Sequence, residues 1–170
     1  IKFCDIYGDY LLSCELLMSD YVNVKNATQV IKDDFDLNVI KKYLGADFSN
    51  NLNVVIDSDV VSKIPSGCDV ISCIDILKDE STEEATELLQ KSLDALNSGG
   101  IVIFRQKDNS KDINNKIISN LKFSKHIQYS SIVATEHKNN VDIAHYSDAI
   151  FNELKNENEN RSNVFDILYK

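Results

Sequence analysis

Residues 68–104 contain Cys68-Asp69-Val70-Ile71-Ser72-Cys73-Ile74, then Ser81-Thr82-Glu83-Glu84, then Leu88, Leu89, Leu93 and Leu96, then Asn97-Ser98-Gly99-Gly100-Ile101-Val102-Ile103-Phe104. The first run is apolar on both faces, as a strand inside a parallel sheet is. Ser81 and Glu84 form a capping box, and the leucines fall on one stripe of the helix that follows. Gly99-Gly100 supplies a stop, and the next four residues are again a buried strand. Strand, helix and strand in that order make a parallel βαβ unit, which predicts an α/β fold.

Working upstream, Leu52-Asn53-Val54-Val55-Ile56-Asp57 reads as another strand buried on both faces, separated from the 70–74 strand by the turn Ile64-Pro65-Ser66-Gly67. Asp36, Leu37, Ile40, Leu44 and Gly45 give a short helix. Val22 to Ile31 carries β-branched residues at a strand's density. Ile1 to Ile6 is a strand, Tyr7-Gly8-Asp9 a tight turn, and Tyr10 to Met18 a helix. Downstream, Ser110 caps a helix with Ile113, Ile117, Ile118 and Leu121 inward. Lys125 to Tyr129 and Ser131 to Thr135 read as a pair of strands joined by a turn.

Helices alternate with strands nearly throughout. The predicted class is therefore a doubly wound, mostly parallel sheet with helices on both faces and an antiparallel final strand. The α/β domain is assigned to residues 1–138. Residues 139–170 are assigned to a C-terminal helix around Ile143, Ile150 and Leu154, the polar linker 155–160, and the apolar tail Val164 to Tyr169. That tail is expected to dock on this domain, a neighbouring one or a protein partner.

Composition narrows the functions. The 170 residues are 43% apolar and 26% charged, with no apolar run of membrane-spanning length, and carry a formal net charge of −9. Lysines are scattered among acids, with no basic stripe for a phosphate backbone, so neither a nucleic acid nor a membrane is an expected partner. Cys4, Cys14, Cys68 and Cys73 form no CxxC pair and read as reduced core thiols, which places the chain inside the cell, in the cytoplasm. His126, His137 and His145 lack the spacing of metal ligands, so no metal is expected. The chain opens on Ile1 and is read as a piece of something longer. No nucleophile elbow and no Walker loop are present. Among lone bases, His126 and His137 sit near strand ends with no carboxylate within a few positions to make a dyad.

From Asp69 onward the chain resembles the class I S-adenosylmethionine (SAM)-dependent methyltransferases. The carriers are residues 68–77, the capped helix from Ser81 to Asn97, and Asn97-Ser98-Gly99-Gly100-Ile101-Val102-Ile103. Val54 to Pro65 resembles the family's third strand and the turn after it. The resemblance implies SAM at the strand ends, with Asp5, Gly8, Asp59 and Asp75 as cofactor-binding candidates and Asp57 as a substitute for Asp59. Two departures from the family bear on the cofactor. Gly8 stands where a run of glycines is usual, with Tyr7, Asp9 and Tyr10 beside it, and Cβ atoms obstruct a close approach. The ribose-binding acid expected after the second strand is matched only by Lys25-Asn26-Ala27-Thr28. The resulting expectation is a methyltransferase-like accessory module with an eroded site, inactive alone and without a cofactor. The alternative is an active SAM-dependent enzyme with an atypical glycine loop.

Overall fold

Asp5, in the middle of the first strand, lies opposite Gln29 of a second strand on one side and Ser72 of a fourth on the other. This three-strand centre organises a seven-stranded sheet. The computed structural model describes residues 1–7, 13, 16–31, 50–74, 76, 80–105, 111–129 and 165–170. The strands are β1 (Lys2–Ile6), β2 (Asn26–Ile31), β3 (Leu52–Ile56), β4 (Cys68–Cys73), β5 (Leu96–Arg105), β6 (Lys125–Tyr129) and β7 (Phe165–Tyr169). Two α-helices are described in full, α1 (Thr82–Ala95) and α2 (Lys111–Ser119). The sheet order is β3-β2-β1-β4-β5-β7-β6. The first five strands in that order run parallel, and β7 is antiparallel to both of its neighbours. The predicted class is what the chain adopts.

Alternation along the strands sends consecutive side chains to opposite faces. Cys4 and Ile6 of β1 join Ile71, Cys73, Val102, Phe104 and Leu168 in one core, closed by Leu88, Leu89 and Leu93 of α1 and Ile117 of α2. Phe3 and Ala27 face the other way, against Leu17 and Val24. Both faces are therefore covered. The capping box is present: the Ser81 hydroxyl accepts from the Glu84 N–H and the Glu84 carboxylate accepts from the Ser81 N–H. Cys4, Cys68 and Cys73 are buried and free. Burial pushes the Cys73 thiol up to about 12, which keeps it protonated and unreactive.

Several sequence expectations shift. The stretch from Val22 becomes a strand only at Asn26, because the Ser19 hydroxyl accepts the N–H groups of Tyr21 and Val22 and closes a turn there. β3 is half-exposed along its length, since it ends the sheet order and pairs with β2 alone. Helix α1 stops at Ala95, before the glycines. Gly99 and Gly100 lie inside β5, where a Cβ on Gly100 would stand 3.0 Å from the Asp69 carbonyl oxygen. The second glycine thus permits β5 to approach β4 and does not end a helix. Of the 10–18 helix, Ser13 and Leu16–Met18 are described and helical. The helix around Asp36–Gly45, the Ser110 cap, the strand 131–135, the helix around Ile143–Leu154 and the linker 155–160 lie outside the described residues.

The tail docks on this domain, one of the places expected for it, and does so as a strand. Phe165–Tyr169 inserts between β5 and β6, with Leu168 opposite both Val102 and His126. β6 therefore pairs with β7 from the far end of the chain. A division at residue 138 does not separate this strand from the domain. Both backbone edges of β7 are used within the sheet, so no partner can dock on it by strand addition.

Two outcomes follow from this packing. Leu168 is fully buried, so Leu168→Ala should cost about 2–5 kcal/mol through lost burial and the cavity left behind. Urea denaturation measures it, and a loss under about 0.5 kcal/mol would place the tail outside the core. Asp69 accepts the Lys2 N–H at 2.8 Å and the Asn97 side-chain amide at 2.8 Å, and these hold its carboxyl below its ordinary 3.8. A depressed carboxyl stabilises above its unfolded value and loses that contribution as pH falls through its folded one. Wild type should therefore exceed Asp69→Ala in stability at neutral pH, with the gap closing below about pH 4 in acid titrations followed by circular dichroism.

Candidate functional site

In a doubly wound sheet the carboxyl ends of the strands are where ligands sit. Here that end gathers Tyr7 after β1, the loop after β3, and the start of α1 after β4. Asp57 ends β3, and its carboxylate accepts the Asp59 N–H at 2.8 Å and pairs with Lys63 at 3.3 Å. Those two contacts, the Asp59 N–H first, hold the Asp57 carboxyl below its usual range. Asp59 in turn accepts the Ser62 N–H at 3.2 Å, capping a 3₁₀ turn over Val61–Lys63. Asp57 and Asp59 thus shape this loop.

Between these segments lies a hollow of about 170 Å³. Tyr7, Val60, Val61 and Leu88 give it apolar surface. Ser58, Asp59, Glu80, Glu84 and Glu87 also line it, and its described lining residues include no lysine or arginine. Acidic residues in that number favour cationic groups and amine donors over phosphates. A larger groove of about 430 Å³ lies between α1 and α2, where exposed Glu83 and Lys116 pair at 3.5 Å. That groove is lined by side chains of the two helices and has no strand-end residue in it.

Asp5 is fully buried and does not line the hollow. Its carboxylate accepts the Gln29 amide at 2.9 Å and the Ser72 hydroxyl, while the Gln29 amide oxygen accepts the Ser13 hydroxyl at 2.8 Å. This chain ties helical Ser13, β2, β1 and β4 together directly below the ligand end. Asp5 is a positioning residue. Its partners carried a sequence signal, each being a polar residue inside an otherwise apolar strand. Of the other candidates, Gly8 and Asp75 lie outside the described residues.

Tyr7 carries a positive φ of 60°, alone among the described non-glycine residues. Its N–H donates to the Val30 carbonyl at 3.1 Å, which fixes the turn against β2. The left-handed backbone that glycine adopts freely is therefore retained with a tyrosine in place, at a cost of about 1–2 kcal/mol.

The missing ribose-binding acid has a different explanation. β2 ends at Ile31, so Lys25-Asn26-Ala27-Thr28 stands at the start of the strand, at the opposite end of the sheet from the ligand. The residues that follow β2 in sequence are Lys32-Asp33-Asp34, outside the described set.

The sequence offered no carboxylate for His126, but the fold does. His126 Nε2 lies 2.6 Å from Asp166 Oδ1, 40 positions away, and the Gln128 amide donates to the same oxygen at 3.2 Å. This pair joins β6 to β7 four strands from β1, about 19 Å away at the usual strand spacing. It braces the sheet's far edge and is remote from the hollow. His137 lies outside the described residues. Among those described, no helix is long and apolar enough to cross a membrane.

No family model matches the chain, and no curated protein is similar to it in sequence. Solved structures do match. A putative O-methyltransferase from Nostoc punctiforme is similar over 99% of this chain and 51% of its own, at 14% identity and a TM-score of 0.66. An rRNA methylase from Streptococcus thermophilus is similar over 99% and 86%, at 14% identity and a TM-score of 0.63. The O-methyltransferase NcsB1 of neocarzinostatin biosynthesis, solved in complex with SAM, is similar over 70% and 36%, at 19% identity and a TM-score of 0.50. The chain spans about half the length of the Nostoc protein and about a third of NcsB1. It has the class I SAM-dependent methyltransferase fold. The expectation that no cofactor is used is overturned, because this fold holds SAM in NcsB1.

Asp5→Ala strands the buried Gln29 amide and Ser72 hydroxyl without their shared acceptor. It should destabilise the fold by about 2–4 kcal/mol in chemical denaturation. A change under about 0.5 kcal/mol would remove Asp5 from its bracing role.

Proposed function

We propose that this chain is the cofactor-holding domain of a SAM-dependent methyltransferase. One observation carries the reading: a sheet of order β3-β2-β1-β4-β5-β7-β6 with a hollow at the carboxyl ends of its parallel strands whose described lining is rich in acidic residues. SAM carries an adenine amine, a sulfonium, an ammonium and one carboxylate, and no phosphate. The carboxylates of Asp59, Glu80 and Glu84 complement such a ligand, whereas a nicotinamide dinucleotide would bring its pyrophosphate against them.

When bound, SAM supplies an electrophilic methyl group on its sulfonium. The chain's own residues bind and orient. Tyr7 and the Val60–Val61 segment offer apolar faces, and Asp59 and Glu84 accept hydrogen bonds from amine donors. Asp5 keeps β1 and β4 in register so that the two strand ends stay aligned beneath the ligand. The O-methyltransferase and rRNA methylase likenesses support the reaction class and leave the methyl acceptor open.

Isothermal calorimetry with SAM and with its demethylated product S-adenosylhomocysteine (SAH) tests this. Dissociation constants in the micromolar range are expected for both, with no heat from ATP or NAD. Absence of binding by both nucleosides at about millimolar concentration would contradict the proposal.

A further inference from the structure

We infer that Tyr7 is a ligand-contacting residue whose ring forms a wall of the site and stacks on the purine base. The inference rests on the SAM reading and adds to it a residue that the glycine-based reading of the turn treats only as an obstruction. Three observations converge on it.

First, Tyr7 keeps a left-handed backbone that a β-carbon disfavours. Such outliers persist where surrounding structure over-determines them, and they gather at ligand clamps. The hydrogen bond from its N–H to Val30, together with the β1–β2 register, supplies that over-determination. Second, the side chain is half-buried, packs beside the core cluster that includes Leu88, and lines the hollow. It is the aromatic residue among the described lining, which also includes Val60 and Val61. Third, the remaining described lining is polar, from Ser58 and the acidic residues Asp59, Glu80, Glu84 and Glu87. An apolar, partly aromatic floor with acceptors around it matches a flat neutral base bearing an exocyclic amine, whose π-face stacks while its N–H groups donate.

A tyrosine here does what a glycine cannot, trading close backbone approach for a stacking surface. The ring's contribution can be separated from its bulk and from the backbone. SAH binding is measured by calorimetry on the full 170-residue chain as wild type, Tyr7→Phe, Tyr7→Leu and Tyr7→Gly, with the melting temperature of each recorded. Tyr7→Phe should bind within about threefold of wild type. Tyr7→Leu and Tyr7→Gly should weaken binding by about tenfold or more. The chain contains no tryptophan, so Tyr7→Trp adds a single reporter whose emission saturating SAH should quench. That measurement stands if the Leu or Gly variants fold poorly.

Unchanged or tighter binding by Tyr7→Gly or Tyr7→Leu would overturn the inference and leave the SAM reading intact. A wild type that binds neither nucleoside beside a Tyr7→Gly that binds would overturn both the inference and the SAM reading of the native chain, because the ring would then be an obstacle. Failure of wild type and every variant to bind SAM or SAH would reject the SAM reading and this inference with it.

Discussion

A single buried carboxylate holds the centre of this protein. Asp5 lies between Gln29 and Ser72 and draws β2 and β4 to β1 through hydrogen bonds from side chains placed opposite it by register. A polar group removed from water is costly unless it is hydrogen-bonded, so these partners are needed where Asp5 is buried. The arrangement favours one register of three strands over neighbouring ones, since a slip by one residue would send the carboxylate to the opposite, apolar face. The Ser13 hydroxyl extends the constraint to a helix on that side of the sheet. Everything at the ligand end inherits its position from this node, beginning with Tyr7 two residues beyond it.

How far the fold could be read from the sequence depended on how local each determinant was. The stretch from β4 through α1 to β5 was legible because its signals are near one another: a capping box four residues long, leucines at helical spacing, and apolar runs on either side. The same locality misled at Gly99-Gly100, where Gly100 serves a close approach to Asp69 some thirty positions away and Gly99 takes a left-handed backbone within the strand, rather than ending the helix beside them. β-branched residues at Val22 and Val24 extended the second strand too far back, although Ser19 had already committed them to a turn. β7 was beyond reach because an apolar hexapeptide after a polar stretch says that it will be buried but not between which strands. Its insertion supplies both the antiparallel edge and the carboxylate partner of His126.

The candidate site was partly legible for the same reason. Asp5 and Asp59 were found as strand-end acids, and both prove to be structural in their hydrogen bonding, with Asp59 also lining the hollow. The glycine count after β1 did not reveal that Tyr7 itself takes a left-handed backbone with a side chain attached. The acids that give the hollow its character lie on α1 and just before it, where Glu80, Glu84 and Glu87 look in sequence like the solvated face and first-turn charges of an ordinary helix. Only the packing of α1 beside the loop after β3 brings them to the hollow.

A crystal structure of the chain grown with SAH tests the central claim most directly. The account predicts the nucleoside at the carboxyl ends of β1 and β4, its base against the Tyr7 ring and within hydrogen-bond reach of the carboxylates beside it. A nucleoside bound instead in the groove between α1 and α2, or an empty hollow under saturating SAH, would contradict it.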